Sequence, residues 1–170
     1  MNDKPIFILG AHKSGTTLLR CLLDDHPQLF AIPFETHPFQ ILGRWILYEY
    51  RKQQPIQTTK DTILQRAQQW IQKNNRRQET MGDGFVKGCI DEDLFAKTFS
   101  GKLSDDINPN SVVAAYFNSI NQAITQKKSP DTKRYVEKSV DNVEYAIDLA
   151  QIFPNAKFIH LVRNPYANVV

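Results

Sequence analysis

The fold is decided by the stretch Pro5-Ile6-Phe7-Ile8-Leu9-Gly10-Ala11-His12-Lys13-Ser14-Gly15-Thr16-Thr17, near the start of the 170-residue chain. An apolar run comes first, and two glycines then bound a short polar segment. Leu18, Leu19, Leu22 and Leu23 follow, and they are expected to form one stripe of a helix. A strand, a glycine-bounded loop and a helix together point successive backbone N–H groups and a helix N-terminus at a phosphate. The stretch therefore predicts a phosphate-binding loop.

The position of its lysine sets this loop apart from that of an ATPase. Gly10 and Gly15 have the Gly-x-x-x-x-Gly spacing of a P-loop, in which lysine follows the second glycine and Ser or Thr then holds Mg²⁺. Here Thr16 takes the lysine position, and Lys13 lies two residues before Gly15. The loop thus predicts a phosphate-bearing nucleotide held without the triphosphate–magnesium apparatus.

The succession of strands and helices predicts an α/β fold, with a three-layer parallel sheet of the P-loop NTPase type flanked by helices. Residues 36–128 are expected to form a largely helical insertion between the second and third strands. The expected strands are 4–9, 29–32, 134–138 and 157–162; the expected helices are 16–25, 36–51, 58–74, 91–99, 111–128 and one from a cap at Asp141 to Pro154, with a loop at 74–84. The nucleotide is then expected at the carboxyl edge of the sheet.

Composition narrows the classes of partner. The formal net charge of +3 indicates no broad nucleic-acid footprint. The two cysteines form neither a metal spacing nor a disulfide framework, and Cys21 is expected to be a small buried thiol. Its neighbour Arg20 is expected on the exposed face of the same helix, and His160, on an apolar strand, is expected to be a core histidine. Neither a signal-peptide pattern nor an apolar run of about 18 residues occurs, which predicts a cytoplasmic protein without a membrane partner.

Segments at both ends of the chain resemble the sulfotransferases that use 3′-phosphoadenosine 5′-phosphosulfate (PAPS). The similar segments are 13–20 (KSGTTLLR), 25–30 (DHPQLF), 33–39 (PFETHPF), 135–139 (YVEKS) and 153–165 (FPNAKFIHLVRNP). The resemblance implies PAPS as cosubstrate, no metal, and a small-molecule, carbohydrate or peptide acceptor that carries a hydroxyl or amine. The acceptor itself is not predicted.

The resemblance assigns the phosphate-loop residues to the donor. It implies that Lys13 contacts the 5′-phosphate and the bridging oxygen, so that this cation stabilises the leaving group. Ser14, Gly15, Thr16 and Thr17 would supply N–H groups and hydroxyls to the same phosphate. The alternatives are a solvated loop lysine and a plain strand-to-helix turn with a threonine cap.

Glu35 is the candidate general base, because Glu35-Thr36-His37-Pro38-Phe39 resembles the Glu-x-His-Phe-Phe of several carbohydrate sulfotransferases. The apolar neighbours Phe34 and Phe39 are expected to raise its pKa toward neutrality. The structural alternative is a first-turn carboxylate that stabilises a helix dipole. His37 is a rival base and the second choice.

Lys138 and Arg163 complete the expected site. Lys138 matches the lysine of the family's Glu-Lys-Ser signature and would help to stabilise the transition state. The resemblance implies that Arg163 binds the 3′-phosphate together with a serine eight residues later, which would come immediately after Val170; a guanidinium fork suits such a phosphate. The alternatives are an exposed strand-end lysine and an arginine paired with a surface carboxylate.

Two other interpretations stay open. A P-loop nucleotide or small-molecule kinase would need lysine after Gly15 and an apolar strand that ends in Asp, whereas the last strand is followed by Arg163. A non-catalytic nucleotide-binding fragment is the other, because the chain stops at Val170 soon after a helix is expected to begin. The domain over 1–170 is accordingly expected to be incomplete at its C-terminal end.

Overall fold

The structure is a computed structural model that describes residues 4–24, 26–43, 47, 51–53, 58–81, 90–124, 134–164 and 166, with only the backbone of 76–81. Its elements in chain order are β1 (Ile6–Gly10), α1 (Thr16–Leu22), β2 (Leu29–Ala31), α2 (Pro38–Leu42), α3 (Lys60–Met81), α4 (Glu92–Lys102), α5 (Pro109–Ala123), β3 (Arg134–Glu137), a 3₁₀ helix (Val140–Val143), α6 (Ala146–Ile152) and β4 (Lys157–Leu161). The chain divides into a sheet unit, Asn2–His37 with Ser129–Val170, and a helical unit, Pro38–Lys128.

The sheet unit contains four parallel strands in the order β2-β3-β1-β4, as the α/β prediction requires. All of β1 is buried, and its alternating side chains serve two faces. Ile6 and Ile8 pack with Ala31 and Val136 on one face, where Leu19 of α1 and its C-cap residue Leu23 cover them. On the other face the ring of Phe7 lies 5.9 Å from that of Phe153 and 5.6 Å from that of Phe158.

Only two of the four leucines in and after helix α1 pack against the sheet. Leu19 and Leu23, one turn apart, lie against the sheet, whereas Leu18 and Leu22 are 65% and 72% exposed. The expected stripe of four leucines was therefore wrong. Each exposed leucine precedes a packed one by a single residue, which rotates it about 100° away from the sheet.

The polar residues of α1 also differ from expectation. Arg20, expected on the surface, is buried and donates a hydrogen bond to the backbone carbonyl of Ile32 (3.4 Å). Cys21, expected to be buried, is exposed. Arg20 holds the chain that leaves β2 against α1, which explains a buried guanidinium on this helix.

Within the described residues, β4 pairs with β1 alone, although its near-continuous apolar sequence is typical of a central strand. His160, expected to be a core histidine, is exposed, and Phe158 is 37% exposed. An apolar run alone does not distinguish a central strand from an edge strand, because pairing partners decide the position.

The helical unit confirms a largely helical insertion. Ile63, Ala67 and Ile71 of α3 are fully buried at helical spacing, as predicted. The helix continues to Met81, so residues 74–81 are helical and the loop expected there was wrong. Asn75 explains the extension, because its side-chain amide donates to the carbonyl of Ile90 (3.0 Å) from inside the helix.

The other helices of this unit begin and end at local signals. Asp91 caps α4 by accepting from the N–H of Leu94, and Asn108 caps α5 with Pro109 in the first turn. The expected helix over 36–51 is represented by α2 and by the helical residues 47 and 51; residues 44–46 and 48–50 lie outside the described part. Residues 125–128 of the expected fifth helix and 82–84 of the expected loop lie outside it too.

The chain after β3 does not form the expected capped helix. Residues Val140–Val143 form a 3₁₀ helix and α6 begins only at Ala146, so the expected helix cap at Asp141 was wrong. Phe153 is the C-cap of α6, and Pro154 follows as predicted. None of the described helices combines the length and apolar character that a bilayer crossing needs.

Candidate active site

The carboxyl ends of the four strands bring the candidate residues to one edge of the sheet. Glu35 follows β2, Lys138 follows β3, the phosphate loop (Gly10–Thr17) follows β1, and Arg163 follows β4. Because the strands are parallel and ordered β2-β3-β1-β4, the four positions lie side by side in that order. This agrees with the expectation of a single site at this edge.

The phosphate loop turns tightly between β1 and α1. A Cβ atom on Gly10 would lie 2.8 Å from both the Oγ of Ser14 and the Cγ2 of Thr16, so only glycine fits there. Lys13 and Gly15 both have positive φ, 60° and 101°, which is a strained conformation for the lysine. Outliers of this kind are retained at ligand-binding turns more readily than in ordinary ones.

The polar groups of the loop suit an anion. The Oγ of Ser14 is buried and has no hydrogen-bond partner among the described residues, an arrangement that a bound oxygen ligand would satisfy. The N-cap of α1 is Gly15, and no side chain caps it, so the threonine-cap alternative was wrong. Thr16 is buried, whereas Lys13 and Thr17 are exposed at the same turn.

Arg163 lies against the phosphate loop. Its Nη1 donates to the backbone carbonyl of Lys13 over 2.9 Å, and its side chain is exposed. The register of β1 with β4 explains the contact, because Gly10 pairs with Leu161 two residues before Arg163. The guanidinium therefore has donors available beside the loop.

Glu35 and Lys138 form an ion pair at the ends of the neighbouring strands β2 and β3. The Nζ of Lys138 contacts the Oε1 of Glu35, and Lys138 is only 6% exposed. Lys138 is thus not the exposed strand-end lysine of the alternative interpretation. Glu35 precedes α2 by three residues and pairs with side chains of the sheet unit, not with a helix end.

His37 lies between two carboxylates. Its Nε2 is 3.2 Å from the Oε2 of Glu35, and its Nδ1 is 2.7 Å from the Oδ2 of Asp141. The backbone of His37 has a φ of 42°, and its N–H donates to the Oγ of Ser139 over 3.0 Å. The sequence interpretation named Glu35 and His37 as rivals; they are direct partners.

This arrangement moves the pKa of Glu35 opposite to expectation. Burial raises the pKa, as predicted, but the hydrogen bonds and charges of His37 and Lys138 outweigh it and lower the pKa from 4.5 to about 2. Burial lowers the pKa of His37, and the carboxylates of Glu35, Asp141 and Glu137 outweigh it and raise the pKa. The expected neutral-range pKa of Glu35 was therefore wrong.

The buried carboxyl of Glu137 connects the two segments that carry the ion pair. Glu137 is fully buried and receives a hydrogen bond from the Oγ1 of Thr36 over 2.7 Å, with further ones from the side chains of Ser139 and Asn142. Burial raises the pKa of Glu137 against these hydrogen bonds. Because Thr36 lies next to Glu35, and Ser139 next to Lys138, Glu137 ties the two segments together.

Sequence reasoning missed Asp141, Glu137 and Ser139. Asp141 was assigned to a helix cap, and its pairing with His37 depends on a contact between distant parts of the chain. Glu137 did carry a signal, since a carboxylate that directly follows the apolar Tyr135 and Val136 in a strand needs buried donors. Within the described residues, no group of three His, Cys, Asp or Glu side chains is placed to hold a metal ion.

Comparisons with known proteins give a family and several similar structures, among them two sulfotransferase domains. The chain aligns with the sulfotransferase domain of the Synechococcus PCC 7002 olefin synthase at 23% identity, covering 96% of this chain and 50% of that one, with a TM-score of 0.48. A sulfotransferase domain from the curacin biosynthetic pathway is 22% identical, with 96% and 48% covered and a TM-score of 0.48. The chain thus spans about half the length of these solved chains.

No curated protein matches the chain. The model of the sulfotransferase family, in contrast, matches residues 5–170 and so includes the phosphate loop, Glu35, Lys138 and Arg163. By this match over nearly its whole length, the chain belongs to the sulfotransferase family.

Proposed function

We propose that the protein transfers the sulfuryl group of PAPS to a hydroxyl or amine acceptor. The observation that carries the proposal is the Lys138–Glu35 ion pair at the strand ends next to the phosphate loop. It supplies a cation and a carboxylate at the edge where a nucleotide phosphate is expected. Membership of the family supports the same reaction class.

The phosphate loop is proposed to hold the 5′-phosphosulfate part of the donor. Two features fit an anion enclosed by the loop: the hydroxyl of Ser14, for which the described residues offer no hydrogen-bond partner, and the close approach that Gly10 permits. Lys13 would neutralise the phosphate oxygen from the exposed side. Arg163, held at the loop by the carbonyl of Lys13, would contact the 3′-phosphate, because its remaining donors suit that group.

The proposed step needs a base, a cation and alignment. The bond between sulfur and the bridging phosphate oxygen breaks, a bond between sulfur and the acceptor oxygen or nitrogen forms, and the acceptor proton passes to Glu35. Lys13 and Lys138 stabilise the negative charge that develops on the bridging oxygen. The other product is adenosine 3′,5′-bisphosphate.

Glu35 is proposed as the base even though its pKa is about 2 while Lys138 and His37 hold it. A carboxylate with so low a pKa is a weak base. When Lys138 turns toward the donor, Glu35 loses one of the two partners that lower its pKa, and its basicity rises. Both nitrogens of His37 face carboxylates, which leaves it second as a base.

The kinase alternative gains no support from the site. Thr16 occupies the position of the P-loop lysine, and the first charged residue after the end of β4 is a cation, Arg163, where a kinase needs a carboxylate for Mg²⁺. We also propose that residues 1–170 belong to one sulfotransferase domain, because the family model includes both units. The cytoplasmic location, the acceptor class and the non-catalytic alternative stay predictions.

Transfer is tested directly by incubating the protein with PAPS and a panel of alcohols, sugars, peptides and amines. The proposed function predicts sulfated acceptor and adenosine 3′,5′-bisphosphate in equal amounts, without added metal. ATP with Mg²⁺ is the control donor, and phosphorylated acceptor from ATP would contradict the proposal. The Lys138→Ala variant should lose transfer, since it lacks the cation next to Glu35.

A further inference from the structure

We propose that Asp141 is a positioning residue of this site, which orients the carboxylate of Glu35 through the imidazole of His37. The inference rests on the proposed function, because it assigns Asp141 a task in the same reaction. It gives a role to a carboxylate that the sequence had assigned to a helix cap.

The geometry forms a chain of three side chains. The Oδ2 of Asp141 lies 2.7 Å from the Nδ1 of His37, and the Nε2 of His37 lies 3.2 Å from the Oε2 of Glu35. An imidazole whose two nitrogens both face carboxylate oxygens is favoured as the doubly protonated cation. Asp141 thus keeps a positive charge on the nitrogen that faces Glu35.

The backbone around His37 is built to keep this orientation. His37 has a left-handed φ of 42°, and its N–H donates to the Oγ of Ser139, which in turn contacts the buried Glu137. The side chain of His37 is only 16% exposed. A strained conformation held by such contacts indicates that the position of the ring matters.

The two oxygens of Glu35 are held by different partners. Lys138 contacts Oε1, whereas His37 contacts Oε2. Under the proposed function Lys138 turns to the donor during the reaction, and His37 then remains to orient the carboxylate toward the acceptor. Asp141 acts at that stage, because it fixes the ring and its charge.

The charged groups around His37 define the expected pH behaviour. Glu35 faces it from the same loop, Asp141 from the 3₁₀ helix and Glu137 from β3, while Lys138 adds a cation beyond Glu35. The three carboxylates raise the pKa of His37. Removing the charge of Asp141 therefore lowers the pKa at which His37 loses its proton.

The first test is the titration of His37 in the full chain, followed by NMR of the imidazole signals. The chain has four histidines, so the His37→Gln variant identifies the signal. In Asp141→Asn the transition of His37 should move to lower pH. Glu144→Gln, which removes an exposed carboxylate from the adjacent turn, should leave it in place. An unmoved transition in Asp141→Asn would overturn the inference.

The second test is kinetic. Asp141→Asn should lower kcat about 10- to 100-fold, the equivalent of one charge-assisted interaction, with little change in KM for PAPS. The alkaline limb of the rate profile should shift to lower pH. In a His37→Gln background the same change should cost almost nothing, because Asp141 acts only through His37.

If Asp141→Asn lowered kcat by the same factor in the wild-type and His37→Gln backgrounds, the positioning role would be overturned. Transfer by the wild-type protein would still support the proposed function. Failure of the wild-type protein to transfer sulfuryl would overturn the proposed function, and the positioning role with it. A higher kcat in Asp141→Glu, which keeps a carboxylate at this position, than in Asp141→Asn would support the inference.

Discussion

The two sides of the candidate site differ in how far their charges are already satisfied. On the base side, over β2 and β3, Glu35, His37, Lys138 and Asp141 neutralise one another at contact distance. On the donor side, over β1 and β4, Lys13 and Arg163 are exposed beside the buried hydroxyl of Ser14, which has no hydrogen-bond partner in the part of the chain that the structure describes. Under the proposed function, the exposed cations of the donor side would pair with the phosphates of the donor, whereas Glu35 on the base side is paired until the reaction begins.

The largest expected effect comes from the base side. Glu35→Gln should lower kcat about 10²- to 10⁴-fold, because the amide cannot accept the acceptor proton. Donor affinity should change little, since the donor side is intact; binding of adenosine 3′,5′-bisphosphate measures it. Glu144→Gln serves as the control. A fully active Glu35→Gln protein would contradict Glu35 as the base and would indicate His37 or another group instead.

The corresponding change on the donor side is Lys13→Ala. Loss of this cation should lower the rate of transfer about 10²- to 10³-fold and should also weaken donor binding. The combined effect on kcat and KM distinguishes it from Glu35→Gln. Lys97→Ala, which removes an exposed lysine from α4, is the matched control. Equal donor affinity in wild type and Lys13→Ala would argue against a donor role.

A third change tests the shape of the donor side. Gly10→Ala places a methyl group 2.8 Å from Ser14 and Thr16, so it should destabilise the fold by about 1–3 kcal/mol and weaken nucleotide binding. Gly101→Ala is the matched control, because nothing lies within 4 Å of its Cβ position in α4. That control should gain up to about 1 kcal/mol. Denaturant unfolding measures both, and equal stability would contradict the tight loop.

The smallest expected effect is the pH dependence of stability on the base side. The pKa of Glu35 is lowered from 4.5 to about 2, so its contribution is present above pH 4.5 and is lost as the pH falls toward 2. The pKa of His37 is raised above 6.5, so its contribution is present below 6.5 and is lost as the pH rises through the raised value. In Glu35→Gln the free energy of unfolding should depend less steeply on pH between 4.5 and 2. The same steepness in the variant and the wild type would contradict the ion pair.

The same comparison explains what the sequence could predict. The donor side depends on neighbours along the chain: β1, the phosphate loop and α1 are contiguous, and their apolar run and glycines were sufficient to predict them. Arg163 reached the loop because parallel strands end at one edge. Local pattern and a simple rule of topology were enough there.

The base side could not be predicted in the same way. Thr36 and Glu137 contact each other across 101 residues of sequence, and His37 meets Asp141 through the same pairing of β2 with β3. The expected rise in the pKa of Glu35 considered only its apolar neighbours. Two cations reverse the shift. His37 lies two positions after Glu35, whereas Lys138 follows a strand that is distant in sequence, and only folding brings Lys138 to Glu35.

Nucleotide preference tests the central claim most directly, namely that a phosphate loop with its lysine upstream binds a 3′-phosphorylated sulfonate donor. Thermal unfolding would be followed with adenosine 3′,5′-bisphosphate, with adenosine 5′-phosphate and with ATP plus Mg²⁺. At 100 times its Kd, adenosine 3′,5′-bisphosphate should stabilise the chain by about 2.7 kcal/mol, and the two other ligands much less at equal concentration. Stronger stabilisation by ATP with Mg²⁺ would contradict the claim.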